Sequence, residues 1–158
     1  MKTEILVDVP APRVSRLRRY APLLVWMALI FFASTAELSA TNTSKIIQPL
    51  LLWLFPHIRE ETIDLIHFLV RKAAHFTEYA VFALLAARAF LYSSHDTLRR
   101  HWLLAALALI TLYSLSDEFH QNFVPTRTAS IYDSMIDTAG GFAALISIAL
   151  WRARQRSN

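Results

Sequence analysis

The chain alternates long apolar runs with short polar ones, and the runs are spaced for membrane-spanning helices. The first, Tyr20 to Ala36 (YAPLLVWMALIFFASTA), is just long enough at about 1.5 Å per residue for a hydrocarbon core of roughly 30 Å. A second span is expected within Ile63 to Tyr92, a third from about Trp102 to Ser116, and a fourth from Met135 to Trp151. Between the first two, IIQPLLLWLFP (Ile46 to Pro56) is too short to cross and is bracketed by Pro49 and Pro56. It predicts an interfacial or re-entrant segment. The expected fold is therefore all-α, a membrane-spanning four-helix bundle.

Polar residues interrupt this pattern on one side of three helices. Advancing about 100° per residue, His67, Arg71, Lys72, His75, Glu78 and Tyr79 fall within an arc of about 140° on the second span. On the third, Asp117, His120 and Gln121 stand at i, i+3 and i+4 beside Tyr113 and Ser114, with Glu118 at the margin. On the fourth, Ser130, Asp133, Ser134, Asp137 and Gly141 share a face of about 100°. The three polar faces lie at one membrane level. Turning them toward each other is the economical packing, because a charge at membrane depth costs a few kcal/mol unless paired.

Composition agrees with the pattern. Of 158 residues 55% are hydrophobic, and the mean hydropathy of +0.37 is high for a soluble domain of this size. The basic residues flank apolar runs instead of forming one basic face, which argues against nucleic acid as a partner. Arg13, Arg16, Arg18 and Arg19, then Arg99 and Arg100, then Arg152, Arg154 and Arg156 fall on one side of a four-span arrangement. The positive-inside rule makes that side cytoplasmic. Residues 1–19 read as a basic cytoplasmic leader, 20–151 as the membrane domain, and 152–158 as a basic cytoplasmic tail. The polar level then lies at the outer face.

The absence of cysteine excludes disulfides and thiolate chemistry, and two adjacent glycines, Gly140 and Gly141, exclude glycine-rich phosphate loops. His75-x-x-Glu78 and Glu118-x-His120 offer nitrogen and oxygen ligands, with Asp133 and Asp137 to complete a sphere. No tight zinc spacing accompanies them, and Lys72 and Arg127 oppose a metal and favour an anion. No cofactor is assigned. Ser114, Ser130 and Ser134 are available as nucleophiles should a histidine stand within hydrogen-bond reach. The structural alternative is that Lys72 or Arg71 pairs with Asp117 or Asp133 simply to join helices. Histidines, which titrate near neutral pH, tip the reading toward a working site.

The segments RKAAHFTEYAVFALL (Arg71 to Leu85) and SDEFHQNFVPTRTASIYDSMIDTAGG (Ser116 to Gly141) carry a resemblance. Lys72, His75, Phe76 and Tyr79, then Asp117, Glu118, His120, Gln121, Phe123, Val124, Pro125 and Arg127, then Ser130, Asp133, Asp137 and Gly140, match the pattern of the VanZ-like family of small bacterial membrane proteins. Thr126 departs from the glycine usual before that arginine. The resemblance implies an integral protein of the bacterial cytoplasmic membrane, linked in the family's namesake to antibiotic resistance, through lowered sensitivity to lipoglycopeptides. It does not supply a reaction.

The expectation is an outward-facing pocket for an anionic cell-envelope constituent, such as a lipid-phosphate or peptidoglycan-precursor headgroup. Lys72 and Arg127 hold the anion, with Tyr79, Gln121 and Ser130 completing its hydrogen bonds. His75 and His120 exchange protons, oriented by Asp117, Glu118, Asp133 or Asp137. A non-enzymatic shield or binder, a structural membrane protein and, third, a transporter are the alternatives.

Overall fold

The computed structural model describes residues 15–35, 40–124 and 130–157, and these form six helices with no strand among them. They are α1 (Arg16–Ala33), α2 (Ala40–Leu54), α3 (Glu60–Leu91), α4 (Asp96–Arg100), α5 (Trp102–Gln121) and α6 (Ile131–Ser157). Three of them, α3, α5 and α6, are long and apolar enough to cross a membrane. The chain is a membrane protein.

The expected first span differs in extent. Ser15 caps α1 by accepting the Arg18 N–H at 3.3 Å, so the helix begins at Arg16 and takes Arg16, Arg18 and Arg19 into its first turn. Its apolar part from Tyr20 to Ala33 reaches only about 21 Å. Among the described residues α1 does not meet that length and composition, so three of the four expected spans are shown. The 15 residues of α2 reach about 22 Å, also too short to cross, and Pro49 lies inside that helix instead of bounding it.

The helix α3 is the centre of the molecule, packing chiefly on α6 and also on α5, α1 and α2. Two glycines set the closest seam. A Cβ at Gly140 would run into the backbone carbonyl of Phe76, and one at Gly141 would meet the Ile110 side chain at 2.8 Å. Small residues let helices approach this closely where lipid supplies no hydrophobic drive. The resulting register runs α3 parallel to α6, with Lys72 level with Asp133 and His75 level with Asp137. The antiparallel α5 brings Ser114 to Asp137 and Glu118 to Ser130.

One half of the bundle is dry. Phe82, Ala83, Ala86, Ala87, Ala106, Ile110 and Leu145 are fully buried, and Leu23 and Ile30 of α1 close the side. Outside, Leu24, Phe32, Leu65, Phe68, Leu84, Leu104, Leu112, Phe119 and Trp151 are exposed on every face. So much exposed apolar surface is untenable in water and is what lipid requires.

Candidate functional site

The polar faces do meet, near the end of the bundle where α5 finishes and α6 begins. At the outermost rung Lys72 Nζ and Arg71 both reach the Asp133 carboxylate, Lys72 directly and Arg71 at 3.4 Å. Asp133 is buried, Lys72 mostly so, and Arg71 is half-buried. Beside them the Glu118 carboxylate accepts the Ser130 N–H at 2.7 Å, at the start of α6. A carboxylate there complements the positive end of the helix dipole.

One rung further in, Asp137 is fully buried. Its Oδ1 lies 3.1 Å from His75 Nδ1, and its Oδ2 accepts the Ser114 hydroxyl at 3.0 Å. With Asp137 as a carboxylate, which only accepts, the imidazole proton of this bond sits on Nδ1. That leaves Nε2 as the basic nitrogen of His75. A carboxylate behind a histidine orients the ring and supports it as a general base.

The third group ties in α1. Asp117 accepts the Ser34 hydroxyl at 2.7 Å and the Gln121 amide at 3.0 Å. Elsewhere α1 is held by Trp26 Nε1 donating to the Glu78 carbonyl at 3.0 Å and by the Tyr113 hydroxyl donating to the Met27 carbonyl at 2.6 Å. Tyr79 is buried below, its ring edge-on to Phe82.

Three features separate this arrangement from the sequence-based one. Glu118, marginal on the helical wheel, is 6% exposed and inside the cluster, because α6 packs on the Ser114, Glu118 and Gln121 side of α5. His120 instead faces α1, with its ring centroid 4.7 Å from that of Phe31. No hydrogen bond joins His120 to His75 or to the carboxylates among the described residues. Arg127, with Pro125 and Thr126, lies outside the described residues.

Among the described residues none of Ser114, Ser130 and Ser134 is hydrogen-bonded to a histidine; Ser114 is committed to Asp137. A serine–histidine pair is therefore not formed. Among the described residues no three His, Asp or Glu side chains converge as metal ligands. Ser34 joins the cluster without a sequence pattern that places it there. Its only sequence signal is a small hydroxyl residue at the end of an apolar run, which reads equally as a helix cap.

Four carboxylates, Asp117, Glu118, Asp133 and Asp137, face two cations, Arg71 and Lys72, and one histidine, His75. Among the described residues, buried atoms without a hydrogen-bond partner include the Tyr79 hydroxyl, Glu118 Oε1, Ser134 Oγ and His67 Nε2. Buried polar atoms are rarely left so.

The family model described as VanZ/LLP1 matches residues 20–152, which takes in every described residue of this cluster. No curated protein and no solved structure matches the chain.

Proposed function

This chain belongs to the VanZ/LLP1 family, and from that premise we propose that its polar cluster recognises the anionic headgroup of a cell-envelope lipid or lipid-linked precursor. The observation that carries the reading is that Arg71 and Lys72 converge on the single carboxylate of Asp133. The two cations share one directly bonded carboxylate, with Glu118 beside them balancing the second charge, and Arg71 remains partly accessible. Guanidinium and ammonium groups grip phosphate or carboxylate oxygens well. Arg127, near in sequence to Ser130, is assigned to the same anion.

The deeper carboxylates make the interior unsuited to an anion. The headgroup is accordingly held at the Arg71 and Lys72 rung, with His75 Nε2 behind it as the group that exchanges a proton. In this reading the membrane is the bacterial cytoplasmic membrane, both termini are cytoplasmic, and the cluster opens outward. If chemistry follows binding, it is hydrolysis or transfer at a phosphate or acyl centre with His75 as base. The dry core below Tyr79 weighs against a transport path through the bundle.

A second reading is favoured by one observation: each of the four carboxylates already holds a partner. The cluster is then structural glue between α1, α3, α5 and α6. Lipid analysis of the purified protein separates the two. Enrichment of a phosphate-bearing lipid that is lost in Lys72→Ala supports recognition, and unchanged lipid with lowered stability supports glue.

A further inference from the structure

The end of the bundle opposite the polar cluster gathers arginines from three separate stretches of chain. Phe90 on α3 and Arg152 on α6 stand equally far, about 22 Å, beyond the His75–Asp137 contact. On the antiparallel α5, Trp102 stands about 18 Å from the Ser114–Asp137 contact in the same direction. The start of α1 is tied to this end by the Tyr20 hydroxyl against Ser93 Oγ and by Arg19 donating to Ser94 Oγ, both at 3.0 Å. The first turn of α1, all of α4 and the last turns of α6 therefore share one level.

Charge at this end is not balanced from within. Asp96 is the one carboxylate in these three stretches, and it is paired with Arg99, which also donates to the Ser93 carbonyl at 3.2 Å. Among the described residues Arg16, Arg18, Arg100, Arg152, Arg154 and Arg156 form no ion pair. A recess of about 400 Å³ opens beside α4, lined by Asp96, Thr97, Arg99, Arg100 and His101. With Asp96 held by Arg99, the charge left to that recess is the exposed guanidinium of Arg100.

The surroundings select the kind of anion. Tyr92 and Trp151 are exposed at this level, and so are Leu17 beside Arg16 and Arg18 and Leu150 near Arg152. Exposed tyrosine and tryptophan occupy the boundary between hydrocarbon and water, which sets the arginines at headgroup depth. A nucleic acid would have to cover these apolar side chains with polar surface. A bilayer lipid meets both, its acyl chains against the apolar skirt and its phosphate against guanidinium, whose paired N–H groups match phosphate oxygens.

We propose that the basic end of the bundle binds the phosphate of anionic bilayer lipids, with the α4 recess as the anchoring site and Arg100 as its principal contact. The arginines of α1 and α6 raise the local concentration of such lipids around it. The site is independent of the headgroup reading and lies at the other end of α3.

The test uses the full chain in phosphatidylcholine vesicles that contain a trace of phosphatidylglycerol bearing a diazirine on its glycerol headgroup, or of phosphatidylcholine labelled at its own headgroup. After illumination the adducts are mapped by residue. Those at residues 97–101 and 151–156 are expected to be several-fold more abundant with the anionic lipid. Arg100→Gln is expected to lower adducts at 97–101 about five-fold, the effect of one arginine at a charged membrane surface. Arg100→Lys should keep most of them, and Arg59→Gln, which removes an exposed arginine at the far end of α3, should change nothing there. Arg100 has no ion pair to lose, so both of its variants are expected to fold.

Equal labelling of the basic end by the two lipids, or an equal fall in Arg100→Gln and Arg59→Gln, would overturn the inference. So would suppression of that labelling by inorganic phosphate or duplex DNA at the lipid's own concentration, which would make the partner a free anion or a nucleic acid. Labelling confined to residues near Arg71 and Lys72 supports the headgroup reading and overturns this one. Labelling confined to the basic end supports this one and counts against the headgroup reading.

Discussion

Asp137 Oδ1 and His75 Nδ1 lie 3.1 Å apart across the α3–α6 seam, with the carboxylate wholly removed from solvent. This pair, braced by Ser114, is the innermost ionisable contact of the cluster. Its dependence on partners makes the structure testable by substitution.

Removing Asp137 leaves His75 and Ser114 without their acceptor. Breaking a buried pair from one side costs about 3–5 kcal/mol, so Asp137→Ala is expected to lose most of its monodisperse fraction on heating in detergent. Asp137→Asn, which keeps one acceptor oxygen, is expected to retain more. Equal stability of Asp137→Ala and wild type would remove the pair from the folding account.

The two glycines are not equivalent. Alanine gains about 1 kcal/mol of helix propensity over glycine. At Gly140 the new methyl meets the Phe76 backbone, which cannot rotate away, whereas at Gly141 it meets Cγ2 of the buried Ile110 side chain, a branch methyl with little freedom to move. Overpacking costs about 1–3 kcal/mol. Gly140→Ala is therefore expected to destabilise strongly and Gly141→Ala mildly, as read by thermal unfolding of the two purified variants.

That α3, α5 and α6 are long apolar helices, and which sides of them are polar, was legible because hydropathy and the 3.6-residue period are local properties. The pairing within the cluster was not. A helical wheel places Glu118 and His120 around α5, but the side taken by α6 and the side taken by α1 depend on register. That register is fixed by Gly140 against Phe76, a contact no local pattern encodes. The extent of α1 was missed for a related reason, since Ser15 and three arginines look like a leader until the cap is seen.

Ser34 tests whether α1 is bound to the cluster. Its hydroxyl donates to an Asp117 carboxylate at 2.7 Å, and Asp117 keeps Gln121 when Ser34 is lost. Ser34→Ala is expected to cost about 1.5–3 kcal/mol, the range for a hydrogen bond to a charged group. Protease accessibility of α1 in the purified protein should rise accordingly. An unchanged cleavage rate would mean that the bonds of Trp26 and Tyr113, with those of Arg19 to Ser94 and Tyr20 to Ser93, hold the helix without Ser34.

His75 and His120 are expected to separate. His75 is held by Asp137, while His120 rests on Phe31 outside the hydrogen-bonded network. If the site performs chemistry on its lipid, His75→Gln should abolish turnover with lipid still bound, and His120→Ala should leave turnover largely intact. The reverse pattern, measured by product formation with the co-purified lipid class, would transfer the proton-exchanging role to His120.

The most direct test of the central claim is quantitative mass spectrometry of lipids retained by the purified wild type, Lys72→Ala and Lys72→Arg proteins. Arg71 still holds Asp133 in Lys72→Ala, so the fold is expected to survive. The account predicts a phosphate-bearing lipid enriched over the bulk membrane in the wild type, lost in Lys72→Ala and restored at least partly in Lys72→Arg. Lipid content equal to the bulk membrane in all three folded proteins would contradict it.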